Sequence, residues 1–170
     1  MNSRPETGKT LLSAEEIADL PRAGLWRRIA ALLYDMFLVA AIWMSLGFVL
    51  QLLFGPGTSE LVEGEVQTDP VVSRVMLFMM VTSAAAFYIG FWRKTGQTLG
   101  MIAWRIRVLG TDNRPLDVKA GLSRFFLAWP AFWLLGLGYL WMYVDPQRDA
   151  AHERLSGSKT VLLPKHARPF

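Results

Sequence analysis

Two short stretches hold the residues best suited to chemistry. In "RRIAALLYD", residues 27–35, Arg28 and Asp35 stand seven positions apart. On an α-helix that spacing puts them on one face, offset by about 20° and roughly 10.5 Å along the axis. An ordinary i,i+4 pair is shorter, so either the long Arg side chain closes part of the gap or water or another group bridges it. In "HER", residues 152–154, Glu153 offers a second carboxylate and His152 a side chain that titrates near neutrality. A carboxylate at the centre of a bilayer-spanning helix costs roughly 2.5–3.5 kcal/mol and is kept for a partner or a task. One chemistry open to Arg28, Asp35, Glu153 and His152 is a proton- or cation-responsive site, with Arg28 favouring the ionised form of Asp35. The other is a buried ion pair that fixes helix register and turns nothing over. Both stay open at this point.

Other chemistries lack their residues. There is no cysteine, hence no disulfide, thiolate nucleophile or thiolate metal site. His152 and Glu153 with Asp145 and Asp149 upstream lack HExxH or paired-histidine spacing, so no metal is expected. No phosphate-binding glycine loop or nucleophile elbow occurs. The expectation is a protein that is not an enzyme and carries no cofactor.

The elements that must position these residues are apolar. Of the 170 residues 52% are hydrophobic, and three stretches carry no charge at all: Met36 to Ser59, Val75 to Trp92 and Phe125 to Val144. Each is near the roughly 20 residues a spanning helix needs. Trp26, Trp92, Trp129 and Trp141 sit near the ends of these runs, where amphipathic rings favour the headgroup layer. The spacing predicts apolar segments at about 27–54, 71–92 and 125–144. "GPG" at 55–57 ends the first, and Pro130 with Gly136 and Gly138 threatens to break the third into a re-entrant or tilted pair.

Charge orients the chain. Residues 93–124 carry Arg93, Lys94, Arg105, Arg107, Arg114, Lys119 and Arg124, whereas 58–70 carry four acids and no Lys or Arg. The positive-inside rule then makes the basic loop and the N-terminus cytoplasmic. The net charge of +4 is thereby explained by topology rather than by nucleic-acid binding. Arg27, Arg105, Arg107 and Arg124 are the expected contacts to anionic lipid or to a protein partner.

Within the basic loop, Trp104-Arg-Ile-Arg-Val alternates at period two before the turn signal Gly110-Thr-Asp-Asn, and Thr160-Val-Leu-Leu is a second strand-like piece. Lone strands leave backbone groups unpaired, so the two are expected to pair and to share a membrane face. Three full crossings would instead put the tail outside. Ser13-x-x-Glu16 predicts a capping box on a short helix. Gly96 and Gly100 lie outside the apolar core and read as a tight turn with close helix approach rather than a dimer face.

Most of residues 22–163 resemble the RDD family of bacterial membrane proteins, named for an arginine and two aspartates. "GLWRRIAALLYD" resembles the family's first helix, with Arg28 and Asp35. "TGQTLGM", residues 95–101, resembles its "GQTxGK" element. Arg124 matches the arginine opening the third segment, and "HERLSGSKTVLL", residues 152–163, its "HDRLAGTxVV" ending. Met101 stands where lysine is usual, and Glu153 replaces the second aspartate, keeping the charge and adding a methylene. The resemblance implies fold and location more than activity, with transport and cation/proton exchange attributed to some members.

The expected architecture is an all-α membrane protein: a small helical bundle of about three transmembrane segments with a short cytoplasmic β element. Its expected divisions are a cytoplasmic N-terminal segment at 1–21, an RDD-like membrane domain at 22–163 and a tail at 164–170. The expected location is the bacterial inner membrane, multi-pass. The expected partners are the lipid bilayer and either further copies or another membrane protein. Two functions fit, transport of a small solute or cation through an Arg/Asp site, and a non-transporting adaptor or assembly factor.

Overall fold

The computed structural model describes residues 12–55, 59–62, 65–134, 136–165 and 167. Two helices dominate: α2 (Leu25–Phe54) and α3 (Pro70–Lys94). At 1.5 Å per residue they run about 45 and 38 Å, beyond the roughly 30 Å of a hydrocarbon core. Only 6% and 11% of their most apolar stretches are buried inside the protein. Helices this apolar and this exposed need a solvent other than water, or further helices, to cover them.

The chain divides into two compact units, Met36–Phe87 and the flanking pieces Met1–Asp35 with Tyr88–Phe170. In the first, strands β1 (Ser59–Val62) and β2 (Glu65–Thr68) pair antiparallel from Ser59↔Thr68 to Val62↔Glu65. The sequence itself predicts a loop between the two apolar runs, because four-residue strands rich in acids give no period-two apolar signal. In the same unit the Trp43 indole N–H donates to the Met80 carbonyl at 3.0 Å, which pairs a polar group that lipid could not satisfy.

The second unit is built around strand β4 (Ser158–Leu162). Along one edge it pairs antiparallel with β3 (Ile106–Gly110), from Ile106↔Leu162 to Gly110↔Ser158. This is the pairing expected of the two strand-like pieces. On the other edge Arg22 bridges Val161, Ala23 N–H donates to Thr160 O at 3.0 Å, and Leu162 N–H donates to Pro21 O at 2.8 Å. The chain entering α2, the chain that follows α3, and the tail therefore meet in one small sheet. Ile106 and Val108 are buried on one of its faces, Leu109 and Val161 on the other. Ahead of it, helix α1 (Ala14–Ala18) carries the predicted capping box: Ser13 accepts from Glu16 N–H at 3.2 Å and donates its own N–H to Glu16 at 2.7 Å.

Helix α3 ends in a turn that only glycine permits. Gly96 has φ +73°, and a Cβ there would stand 2.6 Å from Val108 O. Without one, Val108 N–H reaches Gly96 O at 2.7 Å, and the turn is fastened to β3. Helix α4 (Leu99–Ala103) follows at once, N-capped by Thr98.

The third apolar run is not one continuous helix, and of the about three transmembrane segments expected, two helices among the described residues, α2 and α3, are long and apolar enough to cross a membrane. Helix α5 (Val118–Trp133) begins in the polar loop behind an Asp117 cap, carries Pro130 near its end, and stops at Leu134. Gly136 takes φ +75°, and the chain returns as α6 (Leu137–Leu140) and a 3₁₀ turn (Trp141–Tyr143). Pro130 has no N–H to continue the ladder, and a left-handed glycine reverses the chain direction. Helix α7 (Ala151–Ser156) and Gly157, at φ +64°, lead into β4.

Candidate functional site: a buried arginine and carboxylate cluster

Glu153 is the centre of the site. It lies in the first turn of α7 and is 0% exposed. Its Oε2 accepts from Arg28 Nη1 and from Ala150 N–H at 3.0 Å. Its Oε1 accepts from Arg124 Nη2 at 3.0 Å and from the Thr160 hydroxyl. Four donors fill the four lone-pair positions of one carboxylate. Ala150 N–H is an orphan donor at the start of α7, so part of Glu153's role is that of a helix-terminal acceptor.

Three elements bring the cations in. Arg28 projects from the first turn of α2, with its Nε on Ala23 O at 2.9 Å. Arg124 projects from α5 and is held on three sides: Nη1 on Ser158 Oγ at 2.6 Å, Nη2 on Thr160 Oγ1 at 3.0 Å, and the guanidinium 5.2 Å from the Trp92 ring centroid. Ser158 and Thr160 are two apart on β4 and share its inner face. The stacked guanidinium adds a cation–π contact, strongest when desolvated. Burial alone would raise Glu153, but Arg124 and Arg28 more than reverse it and hold the carboxyl well below its usual range. Beside them His152 stacks at 4.8 Å on Tyr139. Its burial, reinforced by Arg124, pushes it down to about 3, so it is neutral.

Asp35 belongs elsewhere. It is 1% exposed, and no ion pair among the described residues includes it. Its Oδ2 accepts from the Thr98 hydroxyl and its Oδ1 from Gly100 N–H at 2.9 Å. Thr98 in turn accepts from Met101 N–H at 3.3 Å. Asp35 and Thr98 thus satisfy the exposed donors at the start of α4, where a negative charge is also favoured. Gly100 makes this contact possible, because a Cβ there would stand 2.3 Å from Ala31 O. The Arg28, Asp35 and Glu153 site expected from sequence is therefore two sites: Arg28 with Glu153, and Asp35 with Thr98 and Gly100.

Residues 22–157 match the model of the RDD family. The chain belongs to the RDD family. No curated protein and no solved structure matches it. The match takes in Arg28, Asp35, Thr98, Gly100, Arg124 and Glu153, and stops just short of Ser158 and Thr160. Family and apolar helices together point to a membrane protein.

The remaining residues of this RDD chain divide clearly. Arg124, expected at a lipid- or partner-facing surface, is 5% exposed and faces inward, because its apolar helix leaves a cation there no solvent and Glu153 supplies the counter-charge. Trp92, expected at the headgroup layer, is buried beneath it. Arg27 is half-buried and donates to Trp104 O at 3.1 Å. Arg105 and Arg107 are half-buried, Arg105 at φ +53°. Arg154 turns outward to Asp145. Sequence reading missed Arg22, which grips Asp149 through two bonds of 2.6 and 3.2 Å, along with Gln97, whose amide donates to Ile106 O at 2.8 Å. Nothing local in the sequence marks such partners.

Proposed function

We propose that this RDD protein is a multi-pass protein of the bacterial inner membrane that acts as an adaptor or assembly factor, with its N-terminus and basic loop in the cytoplasm. The observation that carries this reading is the saturation of Glu153: Arg28, Arg124, Thr160 and Ala150 occupy all its acceptor positions. A carboxylate filled by the chain's own donors braces a fold and has no position left for a cargo cation. The brace fixes the tail and its strand to the base of α2. Arg93, Lys94, Arg114 and Lys119 remain exposed, as the cations that meet an acidic partner or anionic lipid. The positive-inside contrast between residues 93–124 and 58–70 supports the orientation.

A second reading is transport of a small solute or cation. Asp35 favours it, because this carboxylate lies in a helix long enough to span a membrane and its hydrogen bonds among the described residues come from only two donors. Purified protein in sealed proteoliposomes separates the two. The adaptor reading expects no flux under proton or cation gradients, together with an in-cell crosslink to a defined partner that is lost on Arg114→Gln with Lys119→Gln. Gradient-driven flux that disappears in a folded Asp35→Asn variant would establish transport instead.

A further inference from the structure

We propose that α5 and α6 form a re-entrant hairpin that enters one leaflet and returns to the same face, so that the chain crosses the membrane twice. The inference rests on the membrane reading above and extends it to the surface that meets lipid.

The small sheet supplies the first argument. Arg22, at the entrance to α2, bridges Val161 in the tail, and the tail's other edge pairs with β3, which follows α3. One sheet cannot lie on both sides of a bilayer. Between β3 and β4 the chain therefore leaves and re-enters the same face, and a third full crossing is excluded.

Length and break position supply the second. Helix α5 meets the last turns of α3 through Gly121 against Ile89, Phe125 against Tyr88 with centroids 6.2 Å apart, and Arg124 over Trp92. From Phe125 it continues only to Trp133, about 12 Å at 1.5 Å per residue, less than half a 30 Å core. The return from Gly136 through α6 and the 3₁₀ turn covers a similar distance. The two arms touch closely: a Cβ on Gly138 would stand 2.3 Å from that of Ala131. Helical arms satisfy their own backbone groups, as a segment inside hydrocarbon must.

Exposure supplies the third. Around the reversal Trp133 is 75% exposed, and Leu134 and Leu137 are exposed with it. Before Arg124 the exposed residues of the same helix include Lys119. From Phe125 to Val144 the hairpin carries no charged side chain, and its turn is bare aromatic and aliphatic surface. That polarity matches a leaflet, with charge at the headgroups and apolar groups below.

The chain has no cysteine, so single cysteines at Thr68, Asp112, Leu134 and Lys165 report position directly in sealed membrane vesicles. The expected result is that Asp112→Cys and Lys165→Cys react with a membrane-impermeant maleimide from one face and Thr68→Cys from the other. Leu134→Cys reacts from neither face, and a spin label there collides with dissolved oxygen in preference to an aqueous nickel chelate. Lys165→Cys reacting from the Thr68 face would mean a complete third crossing and overturn the proposal. Aqueous reaction of Leu134→Cys from the Lys165 face would place the hairpin on the surface and overturn it as well. Neither result touches the flux and crosslinking test of adaptor against transporter. Reaction of all four from both faces would instead overturn the membrane reading itself.

Discussion

Gly100 donates its backbone N–H to the Asp35 carboxylate at 2.9 Å, across 65 residues of sequence. The glycine has to be there for the aspartate to act: its α-carbon lies against the backbone of α2 with no room for a methyl group. The aspartate has to be there because the Gly100 N–H at the start of α4 is buried against α2 and needs an acceptor from the chain.

Gly100→Ala should be among the most damaging single changes in the chain. The added carbon would stand 2.3 Å from Ala31 O and 2.9 Å from Asp35 Oδ1, which forces α4 off α2. Overpacking typically costs 1–3 kcal/mol, and losing the Asp35 bond adds about 1–3 kcal/mol. Thermal unfolding in detergent, followed by size-exclusion recovery, reads the loss. A variant as stable as wild type would mean that α4 does not dock on α2.

Asp35→Asn and Thr98→Val dissect the same contact. Asn keeps one acceptor oxygen but turns an NH₂ toward Thr98 or Gly100, and should cost about 1–3 kcal/mol. Val removes both the hydroxyl bond and the N-cap of α4, a loss of about 1–2 kcal/mol. The double variant should lose less than the sum, because the two side chains share one bond. Strict additivity in the unfolding midpoints would separate them.

Glu153→Gln should be worse than Asp35→Asn. It leaves Arg28 and Arg124 buried without counter-charge, and breaking a buried pair costs about 3–5 kcal/mol. Glu153→Asp keeps the charge on a side chain one methylene shorter, so it should recover part of that loss but not both arginine contacts. Arg28→Met on the Glu153→Gln background should then cost less than it does on the wild type, since only the bond to Ala23 O remains to be lost. An equal loss on the two backgrounds would show that Glu153 is not what holds Arg28.

Acid should loosen the cluster in two steps. His152 is held down to about 3 from 6.5 by burial and Arg124, so below pH 6.5 the unfolded chain takes up a proton that the folded chain refuses. Stability therefore falls as pH drops from about 6.5 toward 3, with a slope approaching one proton. Glu153 stays ionised in the fold through Arg124 and Arg28, despite burial, and adds a second proton's slope below about 4.5, where the unfolded carboxyl protonates. His152→Phe keeps a ring against Tyr139 and should flatten the profile between pH 6.5 and 4.5, and below 4.5 should leave only the slope due to Glu153. An unchanged slope there would place the proton uptake on another group.

Much of the plan was legible from residues alone. Uninterrupted apolar runs predict α2 and α3, because helix formation in an apolar phase depends on length and composition rather than on distant neighbours. The capping box at Ser13 and Glu16 and the strand-like "WRIRV" and "TVLL" are local signals that stand in the structure as read, and α2 ends at Phe54 where the breaker cluster begins, though residues 56 and 57 of that cluster lie outside the described residues. The spacing of Gly96 and Gly100 predicts a turn with close helix approach, which is where both are found.

Pairing was decided by the tertiary structure. The seven-residue spacing tied Arg28 to Asp35, yet Arg28 finds Glu153 across 125 residues and Asp35 finds Thr98 and Gly100 instead. Arg124 carries the same charge as its neighbours in the basic loop, and only the placement of α5 beside β4 turns it inward. Sequence by itself determined which segments are apolar, which family the chain resembles and which charges must be accounted for. Which charge neutralises which depended on the register of β3 with β4 and on the reversal at Gly136. Contact between side chains far apart in sequence is set by backbone geometry, and a charge written in a sequence has a sign but no direction.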